Sequence, residues 1–156
     1  MIVIGIDPGL ARMGYGVIRV DRNGPVPVTY GCIETKSTQP VPERLLTIYH
    51  AVDSLLEEHR PLALSLEKLF FTKNITSAMS VSEVRGIVLL AAAQRNVPVA
   101  EYTPNQVKQA ITGSGRADKV QVQLMITRLL GLPEIPKPDD TADALSIALC
   151  HIHIMR

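Results

Sequence analysis

The hydrophobic pattern changes period along this chain. Residues 1–6 are apolar and largely β-branched up to Asp7, where Pro8 and Gly9 break the run. A buried strand thus ends on a carboxylate beside a tight turn. Gly14 to Val20 reads as a second strand and Val26 to Thr35 as a third, divided by the turn Asp21-Arg22-Asn23-Gly24. Three strands with short connections predict an antiparallel meander.

The period then lengthens. Leu45, Ile48, Tyr49, Val52, Leu55 and Leu56 recur at helical spacing, with Glu43, Arg44, Asp53, Glu57 and Glu58 mostly opposite and Pro61 after them. Leu62 to Leu66 forms a short apolar strand that ends at Glu67, a second acid at a strand tip. Asn74 or Ser77 is placed to cap a long helix to about Asn96. That helix is apolar around much of its circumference, as suits burial between layers or partial commitment to a partner.

Val97 to Tyr102 reads as a fifth strand. Thr103, Pro104 and Gln106 supply an N-cap, a first-turn proline and a capping-box partner. The helix they open ends at Gly113-Ser114-Gly115. Another runs from about Ala117 to Leu130, Pro133, Pro136 and Pro138 stiffen the link, and a last helix starts near Asp139 or Asp140. The expectation is one α/β domain over residues 1–156. Its five-stranded mixed sheet has three antiparallel strands then two parallel, flanked by helices. Right-handed crossovers bring the fourth and fifth strand ends to the edge that carries Asp7.

At 156 residues and 46% apolar the chain can bury one core, and with 4% aromatics and no Trp that core is aliphatic. A net charge of +1 argues against a strongly basic nucleic-acid binder but allows a local basic patch. Cys32 and Cys150 match no metal spacing and read as reduced thiols. There is no signal-peptide pattern, and the longest unbroken apolar run, Gly86 to Ala93, is too short to span a bilayer. A soluble, cytoplasmic protein is expected.

The acids carry the chemistry. Asp7 and Glu67 stand at the tips of strands expected to be parallel, and Asp140 and Asp143 share one helical face. Spacing alone leaves Asp139 and Asp140 equivalent. Singly, each acid is a turn residue, a cap or a surface carboxylate. Together, four carboxylates need cations, and two magnesium ions about 4 Å apart suit phosphodiester hydrolysis. No Ser or Cys sits in a nucleophile-elbow context.

Ile4-Gly5-Ile6-Asp7-Pro8-Gly9 followed by Gly14-Tyr15-Gly16-Val17-Ile18 resembles the opening of RuvC-type Holliday-junction resolvases. Glu67-Lys68-Leu69-Phe70 with Lys73-Asn74, Val107-Lys108-Gln109, Asp118-Lys119 with Gln121-Val122-Gln123, and Asp140-Thr141-Ala142-Asp143-Ala144-Leu145 fit the same family. The resemblance spans nearly the whole chain in order. It implies a ribonuclease-H-like fold, a homodimer, and paired magnesium-dependent nicking of four-way DNA junctions, with manganese a possible substitute. Products with 5′-phosphate and 3′-hydroxyl ends and a branch-migration motor partner of the RuvA and RuvB type are implied as well. The catalytic, metal-holding acids by this resemblance are Asp7, Glu67, Asp140 and Asp143, which decides for Asp140 over Asp139. Some members use His at the position of Asp140, and members often extend beyond this C-terminus.

Lys108 and Lys119 flank the glycine turn and could grip one phosphate backbone. The resemblance implies DNA contacts for them, for Lys73 and for Arg116, and it points to Phe70 as a ring near the junction centre. Stacking of that ring on an unpaired base is worth roughly 1–3 kcal/mol, while Phe71 is expected in the core. Ser80 to Ala93 is the candidate dimer surface, because Gly86 costs a helix about 1 kcal/mol relative to Ala and suits close backbone approach. Packing against the sheet explains it equally well. Arg85 fits either interface or substrate. A nuclease for RNA–DNA hybrids or ribosomal RNA precursors, a phosphotransferase of the actin-like or sugar-kinase type, and a non-catalytic junction-binding module are the other readings. The phosphotransferase fold needs two such domains, more than 156 residues supply.

Overall fold

The structure, a computed structural model, describes residues 1–69 and 75–155. Its strands are β1 (Ile2–Asp7), β2 (Arg12–Asp21), β3 (Gly24–Glu34), β4 (Ala63–Glu67) and β5 (Val99–Tyr102). Its helices are α1 (Val41–His59), α2 (Ile75–Gln94), α3 (Pro104–Thr112), α4 (Lys119–Leu129) and α5 (Asp139–Met155). The sheet order is β3-β2-β1-β4-β5. β1 pairs antiparallel with β2, and β2 with β3. β1, β4 and β5 are parallel. The expected mixed sheet is the one observed.

The boundaries differ where backbone chemistry outweighs side-chain pattern. β2 extends to Arg12 and Asp21, because these polar ends still pair with Glu34 and Gly24 across the ladder. β5 starts at Val99 rather than Val97. The Val97 N–H donates to Ala92 in the turn closing α2, and Pro98 has no N–H to offer. α4 starts at Lys119 rather than near Ala117, since Asp118 is its N-cap. Asp118 Oδ1 accepts from Gln121 N and Gln121 Oε1 accepts from Asp118 N, both at 2.8 Å. Sequence reading passed over this second capping box. Ser77 lies inside α2 and is not its cap. The other candidate cap, Asn74, lies outside the described residues.

Strand alternation divides the core into two. Ile4 and Ile6 of β1 and Leu64 and Leu66 of β4 point to one face, where they meet Ile48, Val52 and Leu56 of α1 and Val84, Val88 and Ala91 of α2. Val3 and Ile18 point to the other face, against Val107 and Ile111 of α3, Ile126 of α4, and Leu145, Leu149 and Ile152 of α5. α2 is the one helix among the described residues that is long and apolar enough to cross a bilayer by length and composition. The unbroken run Gly86 to Ala93 understated it. Its inner stripe is buried in the core just described. Its outer side leaves Ile75, Met79, Leu89 and Leu90 exposed.

Candidate active site

The parallel register sets two acids side by side. Gly5 pairs with Ser65 and Ile6 with Leu66. One step further along both strands stand Asp7 and Glu67. With period 2, Asp7 shares a face with Val3 and Gly5, and Glu67 shares a face with Ser65. That face carries α5: Ser65 is fully buried and its Oγ donates to the Ile147 carbonyl at 3.1 Å.

Glycines let α5 come down onto this face. A Cβ on Gly5 would stand 2.1 Å from the Ala144 carbonyl oxygen, and one on Gly14 would stand 1.9 Å from that of Asp140. The helix backbone occupies the space that side chains would fill. Its first turn therefore lies against the tip of β1, and Asp140 and Asp143 reach Asp7. Sequence reading treated these glycines only as strand residues. Their shared parity on two paired strands is the signal that marks a helix-accepting groove.

The electrostatics show how close the acids are. The Asp7 carboxyl is pushed from 3.8 up to about 8, first by burial and then by Asp143, Asp140 and Glu67. Asp143 and Asp140 both favour its protonated form. Burial and Asp143 raise Glu67, opposed by Lys108. Burial also raises Asp143, with Lys119 acting against it. Like charges this near, half-removed from water, disfavour one another's ionised forms.

Asp139 and Asp140 part company here. Asp139 is exposed. It accepts from Lys119 Nζ at 2.9 Å and from Gln123 Nε2 at 3.3 Å. Asp140 turns inward, with Arg12 Nε 3.8 Å from its Oδ2. Arg12, at the start of β2, was missed by sequence reading. Its partner Asp140 lies far off in sequence, and only the return of α5 brings the two together.

Lys108 and Lys119 line a cavity of about 230 Å³ together with Glu67, Asp143 and Ser146. Arg116 stands apart, in a cavity of about 570 Å³ with Ser114, Gln121 and Arg128 that holds none of the four acids. Phe70, Phe71 and Lys73 lie outside the described residues.

Among the described residues no group of three or more His, Cys, Asp or Glu side chains is poised to hold a metal ion by itself. The donors are nevertheless all carboxylate oxygens, and their mutual repulsion is what a divalent cation relieves. Magnesium takes one or two carboxylates and completes its shell with water and substrate phosphate, so an open arrangement suits it better than a closed cage.

The family model described as crossover junction endodeoxyribonuclease RuvC matches residues 3–151. The chain belongs to the RuvC family. It is 57% identical over 153 residues to the crossover junction endodeoxyribonuclease RuvC of Desulfitobacterium hafniense strain DCB-2, covering 98% of this chain and 93% of that relative. The structure of T. thermophilus RuvC in complex with Holliday junction substrate superposes with a TM-score of 0.95 at 40% identity, covering 100% of this chain and 95% of that one. The yeast mitochondrial Holliday junction resolvase Ydc2 shares the fold at 16% identity, with a TM-score of 0.67 over 97% of this chain and 78% of that one. The RuvC sheet is the ribonuclease-H-like arrangement of three antiparallel strands continued by two parallel ones.

Proposed function

We propose that this chain is a crossover junction endodeoxyribonuclease that resolves four-way DNA junctions by paired hydrolytic nicks. The observation that carries the reading is the convergence of Asp7, Glu67, Asp140 and Asp143 where α5 rests on the sheet, in a chain whose family model spans nearly its whole length. The similarity to a RuvC solved with its junction substrate supports the same substrate here. The setting is recombination and repair in the bacterial cytoplasm.

Asp7, Glu67, Asp140 and Asp143 are the acids that would hold two magnesium ions, with manganese as a substitute. When bound, such ions stabilise charge on phosphoryl oxygens and supply hydroxide near neutral pH. The chain's own groups do the rest. Lys108 and Lys119, over Glu67 and Asp143, neutralise the scissile phosphate and its neighbour. Asp139 holds the Lys119 ammonium in place through its 2.9 Å contact. Arg116 grips backbone further out, Lys73 is a further DNA contact, and Phe70 acts at the junction centre. The nicks leave 5′-phosphate and 3′-hydroxyl ends.

Two symmetric cuts call for two sites and hence a homodimer. The outer side of α2 supports that assignment. Met79, Leu89 and Leu90 are exposed there, and a Cβ on Gly86 would touch nothing within 4 Å among the described residues. The remaining partner in this reading is a branch-migration motor of the RuvA and RuvB type.

The test is cleavage of a synthetic four-way junction in magnesium by wild type and by Asp7→Asn. The variant is expected to bind the junction and leave it intact. Undiminished cutting by Asp7→Asn removes the acid from the mechanism and the proposal with it.

A further inference from the structure

Arg85 plays no part in the chemistry so far, yet its guanidinium joins three elements beside the acids. From α2, Nη1 donates to the carbonyl oxygen of Glu67 at 2.8 Å, and Nη2 donates to Glu101 Oε1 of β5 at 2.9 Å. The side chain is 11% exposed, against 36% for Glu101. A cation so withdrawn from water has to be held by acceptors. It also lines a cavity of about 280 Å³ with Asp7, Pro8, Glu67 and Lys68.

The backbone shows what those bonds hold. The described pairing of β4 with β1 runs only as far as Ile6 and Leu66, so the Glu67 peptide stands at the end of that ladder. Beyond it, Lys68 N donates to the Tyr102 carbonyl at 2.8 Å. The amide that follows Glu67 is thus pinned at both ends, its N–H by β5 and its C=O by Arg85. With the strand up to Leu66 held by the ladders on both sides and this planar amide held beyond it, the backbone on both sides of the Glu67 Cα is fixed, and with it the direction of its Cα–Cβ bond.

We propose that Arg85 is a positioning residue for Glu67, fixing the peptide after it so that its carboxylate is aimed at Asp7 and Asp143. The inference rests on the functional reading above, in which Glu67 is a working acid. Arginine suits the task because its planar fork serves two acceptors at once, which an ammonium does with less geometric definition. Glu101 balances the charge, so the guanidinium orients the glutamate without competing for it. In keeping with this, Lys108 and not Arg85 is the cation that acts on the Glu67 carboxylate.

Three measurements on Arg85→Gln test the idea: Mn²⁺ affinity of the DNA-free protein by electron paramagnetic resonance, junction affinity without divalent ions, and single-turnover cleavage at saturating protein. Loss of a partner outside the metal's own ligands costs ~10- to 100-fold in metal affinity or rate. That loss is expected here, with junction affinity unchanged and partial recovery in Arg85→Lys. Glu101→Ala is expected to give a smaller loss, and to add nothing when combined with Arg85→Gln. Should Arg85→Gln fail to fold, lowered Mn²⁺ affinity in Arg85→Lys and Glu101→Ala supports the proposal and unchanged affinity in both overturns it. Unchanged Mn²⁺ affinity and rate in a folded Arg85→Gln also overturn it. So does weakened junction binding with an unchanged saturating rate, which makes Arg85 a DNA contact. An Asp7→Asn enzyme that still cuts sinks the functional reading, whereas an inactive Asp7→Asn beside an unaffected Arg85→Gln sinks only this inference.

Discussion

The carbonyl oxygen of Asp140 occupies the place where a side chain on Gly14 would begin, 1.9 Å from its Cβ position. The first turn of α5 therefore rests on bare β2 backbone, and this contact sets how near Asp140 comes to Asp7. Gly14→Ala has to push the helix outward. Overpacking of this kind costs about 1–3 kcal/mol. Junction nicking should fall more steeply than thermal stability, because the acids separate before the fold is lost. Nicking at the wild-type rate would mean that α5 tolerates the shift without moving its acids.

Asp7→Asn should stabilise the metal-free protein while abolishing cleavage. The folded-state pKa of Asp7 is raised from 3.8 to about 8. Its contribution to stability is fully present below pH 3.8 and is lost as pH rises through about 8. Without divalent ions the variant should therefore melt above wild type at pH 8, with the gap closing as pH approaches 4. Melting curves in EDTA across this range measure it. Magnesium should narrow the gap at pH 8 by binding the ionised wild-type cluster.

Adjacent acids at the start of α5 should behave differently. Asp140→Asn removes a carboxylate that faces Asp7 and should cost most of the cleavage rate. Asp139→Asn loosens Lys119 and Gln123 but leaves the carboxylates around Asp7 in place, and should lose much less of it. Single-turnover rates of the two variants decide the matter, and equal loss in both would contradict the separation seen here.

The outer side of α2 should govern self-association. Leu90→Lys is expected to weaken a dimer in sedimentation equilibrium without lowering the monomer's melting temperature, since Leu90 is 51% exposed. Gly86→Ala should favour the helix by about 1 kcal/mol in the monomer yet weaken the dimer, if two backbones meet there. Unaltered association in both variants would move the interface elsewhere.

His151 should make stability fall on the acid side. It is buried, its Nδ1 lies 2.6 Å from the Tyr102 hydroxyl, and its Nε2 has no hydrogen-bond partner among the described residues. Burial lowers its pKa from 6.5. Below pH 6.5 the unfolded chain takes up a proton that the folded one resists, so stability is lost as pH falls towards the folded value. The difference in denaturation midpoint between wild type and His151→Gln should vary with pH in that window. A constant difference would show that the imidazole takes up its proton equally in the folded and unfolded states.

The sheet and most helices were legible from local pattern, since alternation, caps and proline breaks are written within a few residues of where they act. Period 2 in β1 and the helical spacing of Leu45 to Leu56 needed no partner to be read. Boundaries slipped where a backbone bond decided them, as at Val97, or where a cap was overlooked, as at Asp118.

Asp7 and Glu67 at the tips of strands, and Asp140 and Asp143 on one helical face, were legible in the sequence. Spacing left Asp139 and Asp140 equivalent and the family resemblance chose Asp140; the tertiary structure supplies the physical difference, since Lys119 reaches Asp139 and α5 turns Asp140 inward. It alone gave Arg12 and Arg85 their partners and made Gly5 and Gly14 a seat for a helix more than a hundred residues later in the chain. Such contacts join stretches with no local signal for one another. They exist only once burial of two apolar faces has brought α5 against the sheet.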